Sequence, residues 1–213
     1  MTAPSATIDL MAGRILWDVD TQIDFVHADG KLAVPGAEEV VPAMQKLVAA
    51  VREAGIPHVA SADDHELDDA EISERPDFET TYPPHCLRGT RGARKIEETE
   101  QQDPVPIGLQ QLDEKWLRGR EFLLLKKHFD VFTNPNAERL LERLDPDEVI
   151  VFGVATDVCD DAAIRGLLAR GRRVTFVEDA ARGLDEARTA NCLRAWRDGG
   201  VSFAGVDSVL GSF

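Results

Sequence analysis

The stretch Glu148-Val149-Ile150-Val151-Phe152-Gly153-Val154-Ala155-Thr156-Asp157-Val158-Cys159-Asp160-Asp161-Ala162-Ala163-Ile164 decides the fold. Its first five residues are an apolar, β-branched run of the kind that forms a buried strand. Its last five open a helix with acidic residues in the first turn. Cys159 therefore falls where a strand hands over to a helix. The first turn of a helix presents unpaired backbone N–H groups and the positive end of the macrodipole. A thiol in that field, with a cation or base beside it, is expected to titrate at roughly 3.5–7.5 instead of about 8.5. The same amides suit an oxyanion. A lone cysteine is also a common small core residue, so the rest of the chain decides between the two readings.

Downstream, the helix begun at Asp160 extends to about Arg170 and stops at Gly171, and Arg173–Glu178 is a strand. Asp179–Leu184 is a loop, Asp185–Asp198 a helix carrying Cys192 as a packing or interface residue, and Val201–Gly205 a last strand. Upstream, Asn134-Pro135-Asn136 starts a helix through Leu144, with Thr133 or Asn134 as cap and Pro135 in the first turn. Before it, Glu121–Lys126 is a strand. Residues 89–119 form a long charged connection, with a short strand candidate at Pro106-Ile107 and a helical turn near Gln111 to Leu117. A connection of that length is usually functional, and it is expected to frame a pocket or an oligomer contact. Pro57–Ser61 is a strand, Ala37–Ala54 an amphipathic helix ended by Gly55, and Arg14–Val19 the first strand. Strand, helix, strand in that order predicts right-handed crossovers and an α/β domain with a parallel sheet. Residues 1–13 read as an N-terminal arm and 14–213 as one domain.

Composition excludes some classes. A net charge of −15 argues against an extended phosphate-binding surface and hence against nucleic acid. Three cysteines without paired spacing, and no apolar run of signal or membrane length, point to thiols in a reducing cytoplasm and to no membrane partner.

Candidate groups gather at strand ends, the edge where open α/β sheets build sites. Asp20 and Asp24 follow the first strand, although each alone also reads as a turn or cap residue. Lys126 ends the Glu121–Lys126 strand, where an isolated lysine usually reaches for solvent. With Cys159 after a further strand, Asp20 and Lys126 supply a proton acceptor, a cation and a thiol, the components of an activated nucleophile. Asp63, His65 and His85 offer one carboxylate and two imidazoles for Zn²⁺, Fe²⁺ or Mn²⁺. Glu71 is a further candidate ligand, against the simpler reading of Glu71 and Glu74 as solvated members of an acidic run.

Four segments resemble the isochorismatase-like cysteine hydrolases, nicotinamidases among them. Asp20-Thr21-Gln22-Ile23-Asp24-Phe25 matches a D-x-Q-x-D-F motif, and Lys126 with Phe129 and Phe132 matches the lysine segment. Gly153–Cys159 matches G-V-x-T-x-x-C, and Asp63-x-His65 with Tyr82-Pro83-Pro84-His85-Cys86 matches the nicotinamidase metal loop. The resemblance implies a three-layer Rossmann-like fold with a six-stranded, mainly parallel sheet flanked by helices and no nucleotide cofactor. It further implies a triad in which Asp20 takes the Cys159 proton and Lys126 helps hold the thiolate. A cis Val154–Ala155 peptide and an oxyanion hole from the Ala155 and Cys159 N–H groups are implied too. So is a divalent metal, zinc before iron or manganese, on Asp63, His65 and His85, with Glu71 loosely aligned to a fourth ligand.

Phe25, Tyr82, Phe129 and Val154 would line a pocket for a small amide. A homo-oligomer, dimer or tetramer, is expected. The chain departs from nicotinamidases at Asp64 and Tyr82, where aromatic residues are usual, and at Phe129 and Asp130, where a tyrosine-serine pair is common. Amide hydrolysis is thus better supported than the pyridine substrate. The reading is a nicotinamidase-type amidohydrolase, with an N-carbamoyl or ureido acid as the alternative substrate and a non-hydrolytic metal or thiol-redox protein as the less favoured class.

Overall fold

The computed structural model describes residues 13–113 and 119–213. The arm expected over 1–13 lies, but for Gly13, outside the described residues, as does most of the helical turn expected near Gln111 to Leu117. In chain order the elements are β1 (Arg14–Val19), α1 (Ile23–Val26), α2 (Ala37–Ala54), β2 (His58–Asp63), β3 (Val105–Ile107) and β4 (Glu121–Lys126). There follow α3 (Ala137–Leu144), β5 (Glu148–Val154), α4 (Cys159–Ala169), β6 (Arg173–Arg182), α5 (Glu186–Asp198), β7 (Ser202–Ala204) and α6 (Val206–Leu210).

The strands form one sheet in the order β3-β4-β2-β1-β5-β6-β7, and each pairing is parallel. The sheet has seven strands where six were expected. The added one is Val105–Ile107, which pairs with Phe122–Leu124 at the edge, a place where the missing N–H of Pro106 costs no ladder bond.

Alternation along the strands builds two cores. Ile15, Trp17 and Val19 of β1 face one way with Val149 and Val151 of β5, and pack with Leu140, Ile164, Leu167 and Trp196 from α3, α4 and α5. Leu16, Ile150 and Phe152 face the other way, against Val40, Met44, Leu47 and Val51 of α2 and Val206 and Val209 of α6. Strands covered by helices on both faces read as continuous apolar runs, which is why β5 stood out in the sequence.

Three local expectations change. The helix after Asn134-Pro135-Asn136 begins at Ala137, and Asn136 makes no side-chain cap. The two asparagines instead tie loops together: Asn134 Nδ2 donates to the carbonyls of Ile107 and Leu125 at 3.0 and 2.8 Å, and Asn136 Nδ2 to those of Gly108 and Gln110 at 2.9 Å. β6 runs on to Arg182 where a loop was expected from Asp179, because a register shift between Val151 and Gly153 resumes pairing at Gly153–Ala181. The third change is the short helix α6 after the last strand. Gly153 itself has φ +140, and a Cβ there would lie 2.1 Å from the Val19 carbonyl oxygen, so β1 and β5 can approach only over a glycine.

β4, β2, β1 and β5 are neighbours, and Lys126, Asp63, Asp20 and Cys159 stand at or just beyond their carboxyl ends. Chain connections diverge to either side of β1, the position where such sheets open a crevice.

Candidate active site

Asp20 leaves β1 with φ 49, a left-handed conformation that costs a non-glycine residue about 1–3 kcal/mol. Its neighbours hold it there: the Asp20 N–H donates to the Ser61 carbonyl at 3.3 Å, and Ser61 Oγ donates to Asp20 Oδ1 at 2.7 Å. Lys126, 1% exposed, does not reach solvent. Its ammonium lies 2.8 Å from Asp20 Oδ2, contacts Asp63 Oδ1 and donates to Cys159 Sγ at 3.7 Å. One oxygen each of Asp20 and Asp63 and the Cys159 sulfur all lie within 4.8 Å of one another. The structure thus brings Asp20, Lys126 and Cys159 into one buried cluster.

Charge in the cluster is uneven. Burial works against it, yet the carboxylates of Asp20 and Asp63 hold Lys126 well above its ordinary value, so it stays a cation. Burial also opposes ionisation of Asp63, but the Lys126 ammonium and the His65 and His85 imidazoles hold it well below the usual carboxylate range. Asp20 is raised by burial and then by the Asp63 charge, against the pull of Lys126. Cys159 is pushed well up by burial, with Asp20 and Asp63 adding to the effect despite Lys126. The direction is opposite to the lowering expected from the helix start, because burial and two carboxylates outweigh one ammonium and the helix end. A carboxylate of raised basicity thus stands in the same cluster as the sulfur, a proton acceptor close to a thiol.

The Val154–Ala155 peptide is cis. The Ala155 carbonyl accepts from the Val158 and Asp160 N–H groups at 2.9 and 3.1 Å. Among the described residues neither the Ala155 nor the Cys159 N–H donates to a backbone carbonyl outside the helices and strands.

Asp63 joins this cluster to a second. Its Oδ2 lies 3.6 Å from His65 Nε2 and 3.6 Å from His85 Nε2, and ligand atoms of the three residues fall within 4.8 Å of one another. His85 Nδ1 lies 2.7 Å from the Pro83 carbonyl, which can only accept; the ring therefore carries its proton there and, when neutral, turns a lone pair inward. His65 Nε2 is buried without a hydrogen-bond partner, an expense of about 1–3 kcal/mol that a cation would remove. One carboxylate and two inward-facing imidazole nitrogens fit a divalent metal of the zinc type.

Glu71 takes no place in that cluster, and its solvated reading is also corrected. It is 8% exposed, and its Oε1 accepts from the Phe129 N–H at 3.0 Å and lies 3.3 Å from His128 Nδ1, occupied in holding the lysine segment. Asp24 likewise organises loops, accepting from the Cys86 and Lys31 N–H groups at 2.7 and 3.1 Å.

Of the expected pocket residues, Phe25 and Val154 are buried on the α2 side. Tyr82 and Phe129 meet edge to face at 5.5 Å, and Phe25 lies 5.2 Å from the His85 ring.

Several contributors escaped sequence reading. Gln22 grips Asp63 by its backbone, accepting from the N–H at 2.7 Å and donating to the carbonyl at 2.8 Å. Asp18, fully buried, meets Lys95 Nζ at 2.8 Å, His58 Nε2 at 3.3 Å and Thr21 Oγ1 at 2.9 Å, so residues 89–101 lock onto the end of β1. Arg188 packs against the Tyr82 hydroxyl, its Nε 3.1 Å from Asp157 Oδ2 and one terminal nitrogen 3.4 Å from the Phe78 carbonyl. Gln22 had a signal, its place in the D-x-Q-x-D-F motif; the others had none. No helix among the described residues is long and apolar enough to cross a membrane.

Comparison with known proteins agrees with this geometry. An Isochorismatase domain model matches residues 15–207. The nicotinamidase/pyrazinamidase of Mycobacterium tuberculosis is 28% identical over 192 residues, covering 88% of this chain and 96% of its own. A pyrazinamidase of Pyrococcus horikoshii, solved in complex with zinc, has the same fold with a TM-score of 0.74 and 23% identity over 91% of this chain and 99% of that one. N-carbamoylsarcosine amidase of Thermoplasma acidophilum superposes with a TM-score of 0.71 and 24% identity, covering 92% and 97%.

Proposed function

The chain belongs to the isochorismatase family, and from that premise we propose that it is a metal-containing cysteine amidohydrolase that converts nicotinamide to nicotinate and ammonia. The observation that carries this reading is the sharing of Asp63. One of its oxygens meets the ammonium of the Asp20–Lys126–Cys159 cluster and the other faces the His65 and His85 nitrogens. Similarity to a nicotinamidase/pyrazinamidase and to a zinc-containing pyrazinamidase supports it.

In this reading Asp20 accepts the Cys159 proton as the sulfur attacks the amide carbon, and Lys126, beside both groups, balances the single negative charge as it passes from the carboxylate to the sulfur. The oxyanion is held by the Ala155 and Cys159 N–H groups; one such donor is typically worth about 10²–10³ in rate. The C–N bond breaks as Asp20 returns the proton to the leaving nitrogen, and ammonia departs. Water, deprotonated by Asp20, then opens the thioester and restores the thiol. Asp63, His65 and His85 would hold the metal, zinc before iron or manganese, whose chemistry there is Lewis-acid orientation of a ring nitrogen. Tyr82 and Phe129 offer faces for a flat ring.

A second reading keeps the triad and takes an N-carbamoyl or ureido acid. The fold shared with N-carbamoylsarcosine amidase supports it, and Arg188, a guanidinium beside the Tyr82 hydroxyl, offers a cation suited to a carboxylate.

Ammonia release by the purified protein from nicotinamide and from N-carbamoyl acids tests both. Turnover of nicotinamide, lost in Cys159→Ala, is the expected result. Turnover of carbamoyl acids alone, lost in Arg188→Gln, moves the substrate. An active Cys159→Ala protein overturns the mechanism.

A further inference from the structure

Asp69 lies outside every role assigned so far, yet a single oxygen of its carboxylate gathers three donors. Asp69 Oδ2 accepts from the Glu66 N–H at 2.7 Å and from Lys127 Nζ at 2.7 Å, and lies 3.2 Å from His65 Nδ1. We propose that Asp69, held and charge-balanced by Lys127, is a positioning residue that fixes the tautomer and orientation of His65 and so raises the affinity of the Asp63–His65–His85 cluster for a divalent cation. The inference rests on reading that cluster as a metal site.

An ionised carboxylate only accepts, so the contact places the His65 proton on Nδ1. The neutral ring is then left with its lone pair on Nε2, the buried nitrogen that has no hydrogen-bond partner and lies 3.6 Å from Asp63 Oδ2. His85 reaches the same state through a backbone carbonyl, a neutral acceptor that cannot move away. His65 depends on a side chain, and that side chain is anchored by Lys127. Lys126 and Lys127 are consecutive at the end of β4, and their ammonium groups go to different carboxylates: Lys126 to Asp63, a ligand candidate, and Lys127 to Asp69, which orients one. Carboxylates bonded behind ligating imidazoles typically change metal affinity by about 10–100-fold.

The test is zinc affinity of the metal-free protein, measured by competition with a chromophoric chelator, together with His65 tautomer assignment by NMR. Asp69→Ala is expected to weaken zinc binding by about 10–100-fold and to release the Nδ1 tautomer. Asp69→Asn, which keeps an acceptor oxygen, is expected to preserve the tautomer with a smaller loss. Lys127→Met is expected to fall between them, and adding it to Asp69→Ala to cost nothing further, because both act through one contact. Should Asp69→Ala fail to fold, Asp69→Asn and Lys127→Met carry the same comparison. Zinc affinity of Asp69→Ala and Lys127→Met equal to wild type overturns the proposal, as does a lowered melting temperature of the metal-free protein with affinity unchanged. A wild-type protein that binds no zinc overturns it together with the metal reading. If the zinc affinities shift as expected while no amide is cleaved, the role of Asp69 stands and the amidase reading alone falls.

Discussion

Lys126 is the residue on which the buried charges depend. It sits between Asp20 and Asp63, both buried, and removing one partner of a buried ion pair typically costs about 3–5 kcal/mol. Lys126→Met is therefore expected to lower stability by that order, measured by urea unfolding, and to abolish turnover; a stable, active variant would refute the arrangement. The pH profile follows from Asp20 and Cys159. In the proposed mechanism they carry one proton between them in the reactive form, and a second proton on Asp20 blocks transfer from sulfur. Because Asp20 is raised, the acid limb of kcat/KM is expected above the ordinary carboxylate value of about 3.9, as an apparent value of the coupled pair. A limb at or below that value would contradict the assignment of Asp20 as base.

At the scale of elements, the segment 89–101 behaves as a strap across the ends of β1 and β2. Lys95 reaches Asp18 and Thr21, Thr99 meets Thr21 at 2.6 Å, and Gln101 donates to the carbonyls of His58 and Phe122. Asp18 is lowered: burial opposes its ionisation, but Lys95 and His58 outweigh it. A carboxylate depressed on folding stabilises above its unfolded value of about 3.9, and that stabilisation is lost as pH falls through the folded value. The stability gap between wild type and Asp18→Asn is therefore expected to be full near neutrality and to close in acid. A gap that does not change with pH would show that Asp18 contributes no charge linkage. β5 makes a sharper demand. Gly153→Ala would drive a methyl into the Val19 carbonyl at 2.1 Å, and should leave little folded protein by circular dichroism.

At the scale of the molecule, the parallel sheet places two clusters from four neighbouring strands side by side, with Asp63 common to both. A cation bound only by the folded state stabilises it by about 2.7 kcal/mol at a hundredfold excess over Kd, which for a chain of this size is roughly 5–10 °C in Tm. Zinc is expected to raise Tm by that order in wild type and not in His85→Ala. Equal shifts in both would place the metal elsewhere.

The amino-acid sequence by itself determined six of the seven strands and the four longer helices in their order, the parallel sheet, and the placing of Asp20, Asp63, Lys126 and Cys159 at strand ends, but not the short helices at Ile23–Val26 and Val206–Leu210. Those features follow from local periodicity, from Gly and Pro positions and from short motifs, all of which act within a few residues. The edge strand at Val105–Ile107 was barely legible because three residues carry almost no period. The tertiary structure alone decided which polar side chains lost their water. It buried Glu71 against the lysine segment, set Asp69 behind His65, drew Lys95 onto Asp18 and paired Arg188 with Asp157. It also pushed Cys159 up, against the lowering expected at a helix start. Burial and charge pairing between residues distant in the chain set these outcomes, and no local pattern encodes the dielectric or the neighbour that a side chain meets once the layers pack.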